Sequence, residues 1–336
     1  MYKITNHNDE ISYRCSESDT LLRSALRAGL NFPYECNSGG CGSCKFELIT
    51  GELDVIWQGA PGRSPRDIRK GKYLGCQCRP RGDCKIKLHL TDEPTETEKP
   101  QKFEATFVGR HDLTSDMAEF VFESDSAGSF LPGQNVLMSL PGVTGERAYS
   151  MSNVPGDDGL WQFIVKKMPG GAGSTYLFDS LVIGDKISMD GPFGLAYLRP
   201  ESSREIVLLA GGSGLSPIMS IARSIANDDR FNDRVVRIFY GGRGPADICT
   251  PALVKELGRT STKFLLENAI SDATLGENWQ GECCFVHELA EKVLGNQIPV
   301  YEYYFCGPPS MTDAVQRMLM IDHQLPFDQL HFDRFF

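Results

Sequence analysis

The sequence predicts a multidomain protein in which a small α+β module is followed by an all-β module and an α/β module. Residues 91–100, TDEPTETEKP, contain four acids, two prolines and no apolar residue, a composition typical of a linker. Short β-type runs come after it, and from residue 204 strands alternate with helical patterns. We therefore place domains at residues 1–92, 103–200 and 201–336, with a linker at 93–102.

The first module has the pattern of short strands packed on one helix. We expect strands over residues 11–15, 46–49 and 86–90. Asp19 and Thr20 stand where a helix cap is needed, directly before a stretch with its leucines and alanine on one side. These elements predict a small α+β domain.

The second and third modules differ in how their strands are separated. FEATFV, AEFVF, NVLMSL and WQFIV are separated by turn signals such as Pro132-Gly133 and Pro141-Gly142, which predicts an antiparallel barrel or sandwich. IVLLA, VVRIF, KFLLE and YEYYF alternate with helical segments, which predicts a parallel sheet.

Composition excludes several classes of protein. The chain has 336 residues, of which 41% are hydrophobic and 23% are charged, as in water-soluble globular domains. No apolar run approaches the length of a membrane span, and the first residues lack the apolar core of a signal peptide. Eleven cysteines in such a chain are expected to bind metal or to stay reduced, which indicates a cytoplasmic protein. We also predict that the protein is monomeric and binds neither membrane nor nucleic acid.

Charge is distributed unevenly along the chain. The net charge is −10, but residues 1–93 carry 14 Lys and Arg against 12 Asp and Glu, which is +2. Nine basic residues fall between Arg63 and Lys87, against two acids. This run is either an ordinary solvated surface or a docking site for an acidic partner, to which Arg79 and Arg81 would contribute.

The stretch ECNSGGCGSC carries three cysteines in the spacing of an iron–sulfur site. Cys36, Cys41 and Cys44 are followed after 31 residues by Cys76, which is the plant-type [2Fe–2S] pattern. Glycines within the loop allow the backbone to turn its N–H groups toward the sulfurs. A four-cysteine zinc site is the alternative, although Cys76 and Cys78 are too close for a usual zinc knuckle. Cys78 remains a possible substitute for Cys76.

Two motifs in the second module are suited to a flavin. In RAYS, Arg147 can bind a phosphate, the Tyr149 ring can cover a flavin face, and the Ser150 hydroxyl can reach its reactive nitrogen. The turn GGAGST follows about 20 residues later and opens a short helix, whose N-terminus favours an anion. Its predicted cofactor-binding residues are Gly173, Ser174 and Thr175.

The third module carries glycine–proline loops where strands end. GGSGLSP contributes Gly211, Gly212, Gly214 and Pro217, and CGPP contributes Cys306, Gly307 and Pro308. Ligands bind at the carboxyl ends of strands in parallel sheets, and glycines allow the backbone to approach a pyrophosphate. We therefore predict a nicotinamide dinucleotide site here.

Further nucleotide contacts are expected after the second strand of this module and at the chain's end. Tyr240, Arg243 and Asp247 follow that strand. Arginine can read a 2′-phosphate and an acid disfavours one, so NADH is the expected cofactor. The terminal Phe335 and Phe336 either dock into a core or cover the flavin face opposite the tyrosine of RAYS.

These motifs, in this order, resemble the reductase components of bacterial multicomponent aromatic monooxygenases, above all those of the toluene type. ECNSGGCGSCK, YFCGPP and HFDRFF carry the resemblance over essentially the whole chain. It implies a β-grasp [2Fe–2S] ferredoxin domain, an FAD-binding β-barrel and an NAD-binding α/β domain of ferredoxin-reductase type. The sequence LGC at residues 74–76 matches the family pattern and favours Cys76 as the fourth cluster ligand.

The resemblance also implies the path of electrons, from NADH to FAD, then to the cluster, then to a Rieske-type ferredoxin or a di-iron hydroxylase. Ser150 and Cys306 are the expected catalytic residues, and Val165 and Lys166 join the expected cofactor-binding set. The alternatives are an acceptor such as a sugar dehydratase or a ring-hydroxylating dioxygenase, or a non-catalytic redox sensor.

Overall fold

The computed structural model describes residues 1–7, 11–89, 98–125, 128–258 and 262–335. The chain forms two compact units. Unit 1 contains Met1–Lys102 and Asp190–Gly194, and unit 2 contains Phe103–Met189 and Leu195–Phe336. Residues 93–97 of the predicted linker lie outside the described residues.

Unit 1 is a mixed five-stranded sheet with one main helix. Its elements are β1 Tyr2–Asn6, β2 Ser12–Cys15, α1 Leu21–Arg27, β3 Lys45–Thr50, β4 Leu53–Val55, α2 Pro65–Arg69, β5 Lys72–Leu74, β6 Cys78–Pro80 and β7 Cys84–Lys87. The sheet order is β2-β1-β7-β3-β5, with β1 and β7 parallel, and β4 pairs with β6 separately. Helix α1 begins as predicted, because the Thr20 side chain accepts a hydrogen bond from the Arg23 amide at 3.3 Å.

The first half of unit 2 is a six-stranded sheet whose described pairings are antiparallel. Its elements are β8 Gln101–Asp112, β9 Met117–Glu123, β10 Asn135–Ser139, β11 Arg147–Ser150, β12 Leu160–Lys166, α3 Ala172–Asp179 and β13 Lys186–Phe193. The order is β11-β10-β13-β8-β9-β12. Its core is rich in aromatic side chains, including Phe120, Phe122 and Phe163, which are completely buried.

The second half of unit 2 is a parallel sheet with helices on it. Its elements are β14 Glu205–Gly211, α4 Leu215–Ala226, β15 Val235–Gly242, α5 Thr250–Leu257, β16 Lys263–Ile270, β17 Glu282–Cys283, α6 Val286–Leu294, β18 Tyr301–Gly307, α7 Pro309–Arg317 and β19 Leu330–Arg334. The order β17-β16-β15-β14-β18-β19 places the glycine loops after β14 and β18 on neighbouring strands.

The predicted fold class is confirmed, with corrections of detail. Strand β8 begins at Gln101, inside the segment predicted as a linker. As small hydrophobic residues, Cys15 and Cys84 are expected to be buried, and so is Cys283, in a strand or a helix. Cys15 and Cys84 are buried, but Cys283 is exposed on the two-residue edge strand β17. Within the described ranges, every helix is too short or too polar to span a bilayer.

Candidate functional site

The cysteine loop lies between α1 and β3, and Cys76 lies in the turn after β5. The sulfurs of Cys44 and Cys76 are 3.4 Å apart. Cys36 and Cys41 form a second pair, since the Cys41 amide donates to the Cys36 sulfur at 3.3 Å and the Cys36 amide to the Cys41 sulfur at 3.5 Å. The amide of Ser38 also donates to the Cys36 sulfur, at 3.5 Å. Backbone N–H groups therefore surround sulfur, as the glycine content of the loop predicts.

Two sulfur pairs suit a binuclear centre better than a single ion. A [2Fe–2S] cluster has two irons, each with two thiolate ligands. The arrangement thus favours the iron–sulfur interpretation over the zinc alternative.

The thiols of this loop are held in unlike protonation states. Hydrogen bonds from the Cys41 thiol and from the amides of Cys41 and Ser38 lower the pKa of Cys36 to about 4. The Cys76 thiol likewise lowers the pKa of Cys44. Burial raises the pKa of Cys78 to about 12, so this thiol stays protonated. The hydrogen bond to Cys44 and burial raise the pKa of Cys76 as well, so it is the 3.4 Å contact between the Cys44 and Cys76 sulfurs that favours Cys76 over Cys78 as the fourth ligand.

Close backbone contact explains two glycines of the loop. Gly39 and Gly42 have φ of +93° and +80°, which disfavours any side chain. A Cβ on Gly42 would lie 2.6 Å from the carbonyl oxygen of Gly62. The segment that follows β4 therefore lies directly against the cysteine loop.

The two predicted flavin motifs lie side by side. A Cβ on Gly173, in the first turn of α3, would lie 3.0 Å from both the Arg147 Cγ and the Tyr149 hydroxyl. Burial raises the pKa of Tyr149 to about 12, so its hydroxyl stays neutral. The N-cap residue of α3, Gly171, offers no side-chain hydrogen bond. Arg147 and the start of α3 thus form one cradle that fits the phosphates of a flavin nucleotide.

The hydroxyls of the GGAGST turn have separate surroundings. Ser174 is buried, accepts from the Met168 amide at 3.0 Å and donates to the Gly171 carbonyl at 3.1 Å. It therefore shapes the turn, whereas Thr175 is exposed. Val165 is buried in the core of the antiparallel sheet, so only its backbone can face a ligand.

Helix α4 is joined to the end of RAYS by hydrogen bonds from one helix face, which we call the α4 polar face (Ser216, Ser220 and Arg223). The Ser216 hydroxyl donates to the Ser150 carbonyl at 2.6 Å and accepts from the Ile164 amide at 2.9 Å. The Ser220 hydroxyl donates to the Asn153 carbonyl at 2.8 Å. These contacts position buried Ser150 against the helix that follows the first glycine loop.

Arg223 completes this face with a buried ion pair. Its Nη1 donates to the Glu119 Oε1 at 2.7 Å and to the Ser152 carbonyl at 2.8 Å, and the Ser152 hydroxyl donates to the same carboxylate at 2.6 Å. Sequence reasoning missed the α4 polar face. Its signal is the spacing 216, 220, 223 in a largely apolar helix, which places all three side chains on one side.

The two glycine loops of the parallel sheet touch each other. A Cβ on Gly214 would overlap the Cys306 carbonyl, and one on Gly211 would lie 2.6 Å from the Met311 sulfur. Gly212 has φ of +55°. Helix α4 begins at Leu215 with Pro217 in its first turn, and its N-cap residue makes no side-chain hydrogen bond. The start of α4 is suited to an anion, because the N-terminus of a helix favours negative charge.

Cys306 is the next-to-last residue of β18 and is almost completely buried, which raises the pKa of its thiol and keeps it neutral. Gly307 follows it, and the Gly307 carbonyl accepts from the Phe335 amide at 3.1 Å. Pro308 is exposed and caps α7. Phe335 packs against a core cluster that includes Cys306, whereas Phe336 lies outside the described residues.

Lys166 and Asp247 form an ion pair that links the end of β12 to the loop after β15. The Lys166 Nζ lies 2.8 Å from the Asp247 Oδ1 and 3.0 Å from the Asp116 Oδ2. Although burial opposes both shifts, this pairing raises the pKa of Lys166 and lowers the pKa of Asp247. The other Asp247 oxygen accepts from the amides of Arg243 and Gly244, at 3.0 and 3.1 Å. Its carboxylate is therefore engaged within the protein.

Tyr240 and Arg243 have opposite environments beside this pair. Tyr240 is completely buried, and among the described residues its hydroxyl has no hydrogen-bond partner. The Arg243 side chain is exposed. Of the two, Arg243 is the one that can meet a ligand from solvent without rearrangement.

Models of three domain families match the chain in the order that the motifs predict. They are a 2Fe-2S iron-sulfur cluster binding domain over residues 4–81, an oxidoreductase FAD-binding domain over 104–197 and an oxidoreductase NAD-binding domain over 208–317. Relatives match over nearly the whole chain. A ferredoxin–NAD(P)+ reductase of Metapseudomonas resinovorans is 39% identical over 326 residues, which is 96% of each chain. The chain belongs to this family of iron–sulfur flavoprotein reductases.

Other relatives in the family serve different oxygenases. The ferredoxin–NAD(+) reductase component of an alkene monooxygenase system of Xanthobacter autotrophicus is 32% identical and covers 98% of this chain and 99% of its own length. The xylene/toluene monooxygenase electron transfer component of Pseudomonas putida is 32% identical, covering 92% of this chain and 86% of the relative. The solved ferredoxin reductase in carbazole 1,9a-dioxygenase superposes with a TM-score of 0.89 at 36% identity, covering 100% of this chain and 98% of its own.

Membership in the family confirms the predicted fold, cofactors and enzyme class. The protein is an electron-transfer reductase with [2Fe–2S], FAD and NAD domains. The FAD-binding and NAD-binding domains both lie largely in unit 2. The predicted domain boundary near residue 200 therefore stays a prediction.

Proposed function

We propose that this reductase takes electrons from NADH and delivers them singly to a Rieske-type ferredoxin or a di-iron hydroxylase of a toluene-type aromatic monooxygenase. The observation that carries the proposal is that one chain holds three features. These are the paired thiols of the cysteine loop, the cradle of Arg147 and Gly173, and the glycine loops of the parallel sheet. The relative named for xylene and toluene monooxygenase supports the class of partner.

Cys36, Cys41, Cys44 and Cys76 are the proposed ligands of the iron–sulfur cluster. The loop amides stabilise negative charge on the sulfurs, because hydrogen bonds to a thiolate favour its charged form. They also shield the sulfurs from water, since the sulfurs' neighbours are backbone groups of the same loop.

Arg147, Tyr149 and the first turn of α3 are the proposed binding residues for FAD. Bound FAD supplies the exchange between a donor of two electrons and acceptors of one. Ser150 has its backbone fixed by Ser216, so its hydroxyl is presented from a rigid position. Cys306 contributes a neutral, buried thiol at the end of β18, which excludes water from the place where nicotinamide would lie.

NADH is the proposed donor, because an acid after β15 disfavours a 2′-phosphate. Lys166 and the loop amides hold the Asp247 carboxylate ionised beside Arg243, so negative charge stays where that phosphate would lie. The exposed Arg243 is the residue that a 2′-phosphate would contact. Comparison of kcat/KM for NADH and NADPH tests this choice, and higher efficiency with NADPH would contradict it.

Anaerobic titration with NADH tests the proposal as a whole. Visible absorption should show flavin bleaching and loss of the iron–sulfur bands, and EPR should show a reduced [2Fe–2S] signal. A chain that binds iron and flavin but is not reduced by NADH would contradict the proposed function.

A ring-hydroxylating dioxygenase is the second candidate for the electron acceptor. The relative with 39% identity is a ferredoxin–NAD(P)+ reductase, and the structure with 36% identity is named for carbazole 1,9a-dioxygenase. Reconstitution with purified ferredoxin and oxygenase components of each class separates the two, because only the true system should couple NADH oxidation to product. Gel filtration tests the further proposal that the chain is a monomer, and cell fractionation tests the proposal that it is cytoplasmic.

A further inference from the structure

We infer that residues 56–70, which we call the cluster-side segment, form the surface on which an acidic, single-electron acceptor protein docks; this inference rests on the proposed function. Three observations place the docking surface on this segment: its contacts around the cysteine loop, its exposed apolar side chains, and its unneutralised positive charge.

The cluster-side segment contacts the cysteine loop once and, at two further places, residues next to Cys44 and Cys76. The Ile56 amide donates to the carbonyl of Gln77, next to Cys76, at 2.9 Å. The Gly62 amide donates to the Gly39 carbonyl at 2.9 Å. The Asp67 carboxylate lies 3.0 Å from the Nζ of Lys45, the residue after Cys44. A protein bound to this segment would therefore be separated from the sulfurs by little more than one layer of chain, and electron transfer is fastest over short distances.

Large apolar side chains on the segment face solvent. Ile56, Trp57 and Ile68 are 45%, 46% and 51% exposed. A single exposed apolar residue needs no explanation, but tryptophan and arginine are the residue types that contribute most to protein interfaces. Trp57 is therefore the expected anchor of a small, transient interface, which suits a partner that must leave after each electron.

The positive charge of the segment is concentrated at its end. Arg66, Arg69 and Lys70 are exposed, and within the described ranges their side chains form no ion pair or hydrogen bond. By contrast, Arg81 lies 3.3 Å from Asp54, and the Arg63 Nε donates to the Lys72 carbonyl at 2.7 Å.

This distribution changes the docking residues expected from the sequence. Arg81 is already paired, whereas Arg79 has a buried Nε that lacks a hydrogen-bond partner among the described residues. The charge available to a partner thus comes mainly from helix α2 and its C-cap. Its complement is an acidic protein surface, and attraction between them should be strong at low salt and weak at high salt.

The test uses two haem proteins of opposite charge, anionic cytochrome b5 and cationic cytochrome c, as acceptors for the holoenzyme with NADH. Arg69→Glu should raise KM for cytochrome b5 about tenfold at low ionic strength and lower it for cytochrome c, with both effects fading in salt. Lys186→Glu, which reverses an exposed charge on β13, is the matched control and should change neither. Trp57→Ala should reduce kcat/KM for both acceptors at every salt concentration.

Equal behaviour of Arg69→Glu and Lys186→Glu with cytochrome b5 would overturn the inference. So would a parallel loss of flavin bleaching by NADH, measured by stopped flow on the same samples, because docking lies after that step. Failure of the proposed function has a different signature, since wild-type holoenzyme would then reduce neither haem protein from NADH.

Discussion

The choice between Cys76 and Cys78 depends on where each sulfur points, although both are buried. Cys76 meets Cys44 at 3.4 Å. We expect Cys76→Ser to lose the [2Fe–2S] absorption and most of the bound iron, because one of four thiolates is removed. Cys78→Ser is the matched control and should keep both. Iron analysis with visible spectra measures the outcome, and the reverse result would reassign the fourth ligand.

Gly173 is the residue on which the flavin cradle depends most. Since a Cβ there would lie 3.0 Å from Arg147 and Tyr149 side-chain atoms, Gly173→Ala must displace at least one of them. We expect FAD to bind roughly fivefold more weakly, a loss of about 1 kcal/mol. Gly109→Ala is the control, because a Cβ at Gly109 has no neighbour within 4 Å. Fluorescence titration of the apoprotein with FAD measures both, and equal affinities would contradict the assignment of the cradle.

At the scale of elements, the α4 polar face is the connection that we expect to matter most. Ser216→Ala would leave the buried Ile164 amide without its acceptor, at a cost of about 1–3 kcal/mol in the free energy of unfolding. It should also slow flavin reduction by NADH, because Ser150 loses its support.

Ser224, on the same helix, supplies a matched control. Its hydroxyl is also buried, but it has no hydrogen-bond partner within the described ranges, so Ser224→Ala should not destabilise the protein. Urea unfolding and stopped-flow absorbance measure the two effects. If both variants lost the same stability and rate, the hydrogen bonds of Ser216 would have no special role.

How well the elements could be predicted depended on how far apart the interacting residues lie in the sequence. The cap at Thr20, the loop spacing of the cysteines and the strand-end glycines are local patterns, and the structure has them where the sequence indicates. The partners of Ser216 are 52 and 66 residues away in the chain, so no local pattern shows them. Likewise, ECCFV has a strand's composition, but only the sheet order shows that β17 is a short edge strand that leaves Cys283 exposed.

Asp247 shows the same limit within the nucleotide site. Its position after β15 predicts a role near a nucleotide loop, and that role stays a prediction, but its carboxylate is bound by Lys166, which is 81 residues away. The sequence shows the residue type and its place at the end of a strand. It does not show the bond to Lys166, which engages the Asp247 carboxylate.

At the scale of the whole molecule, the chain should reduce acceptors without oxidising hydrocarbons. Its three domains account for NADH, FAD and an iron–sulfur cluster, and the sequence motifs include no acid–base pair suited to an aromatic substrate. With NADH, oxygen and toluene, the purified holoenzyme should consume NADH slowly and form no hydroxylated product. Gas chromatography measures this, and cresol formed without any partner protein would contradict it.

The pairing of Cys44 with Cys76 encloses the cluster-side segment in a closed loop of chain. Iron bound by both residues would act as a cross-link, restricting residues 56–70 much as a disulfide restricts the loop it closes. Trp57 and the cations of α2 would then be held in place only in molecules that carry their cluster. We therefore expect an acceptor to bind reductase molecules that lack the cluster more weakly than those that carry it, so that recognition of the partner depends on cluster assembly.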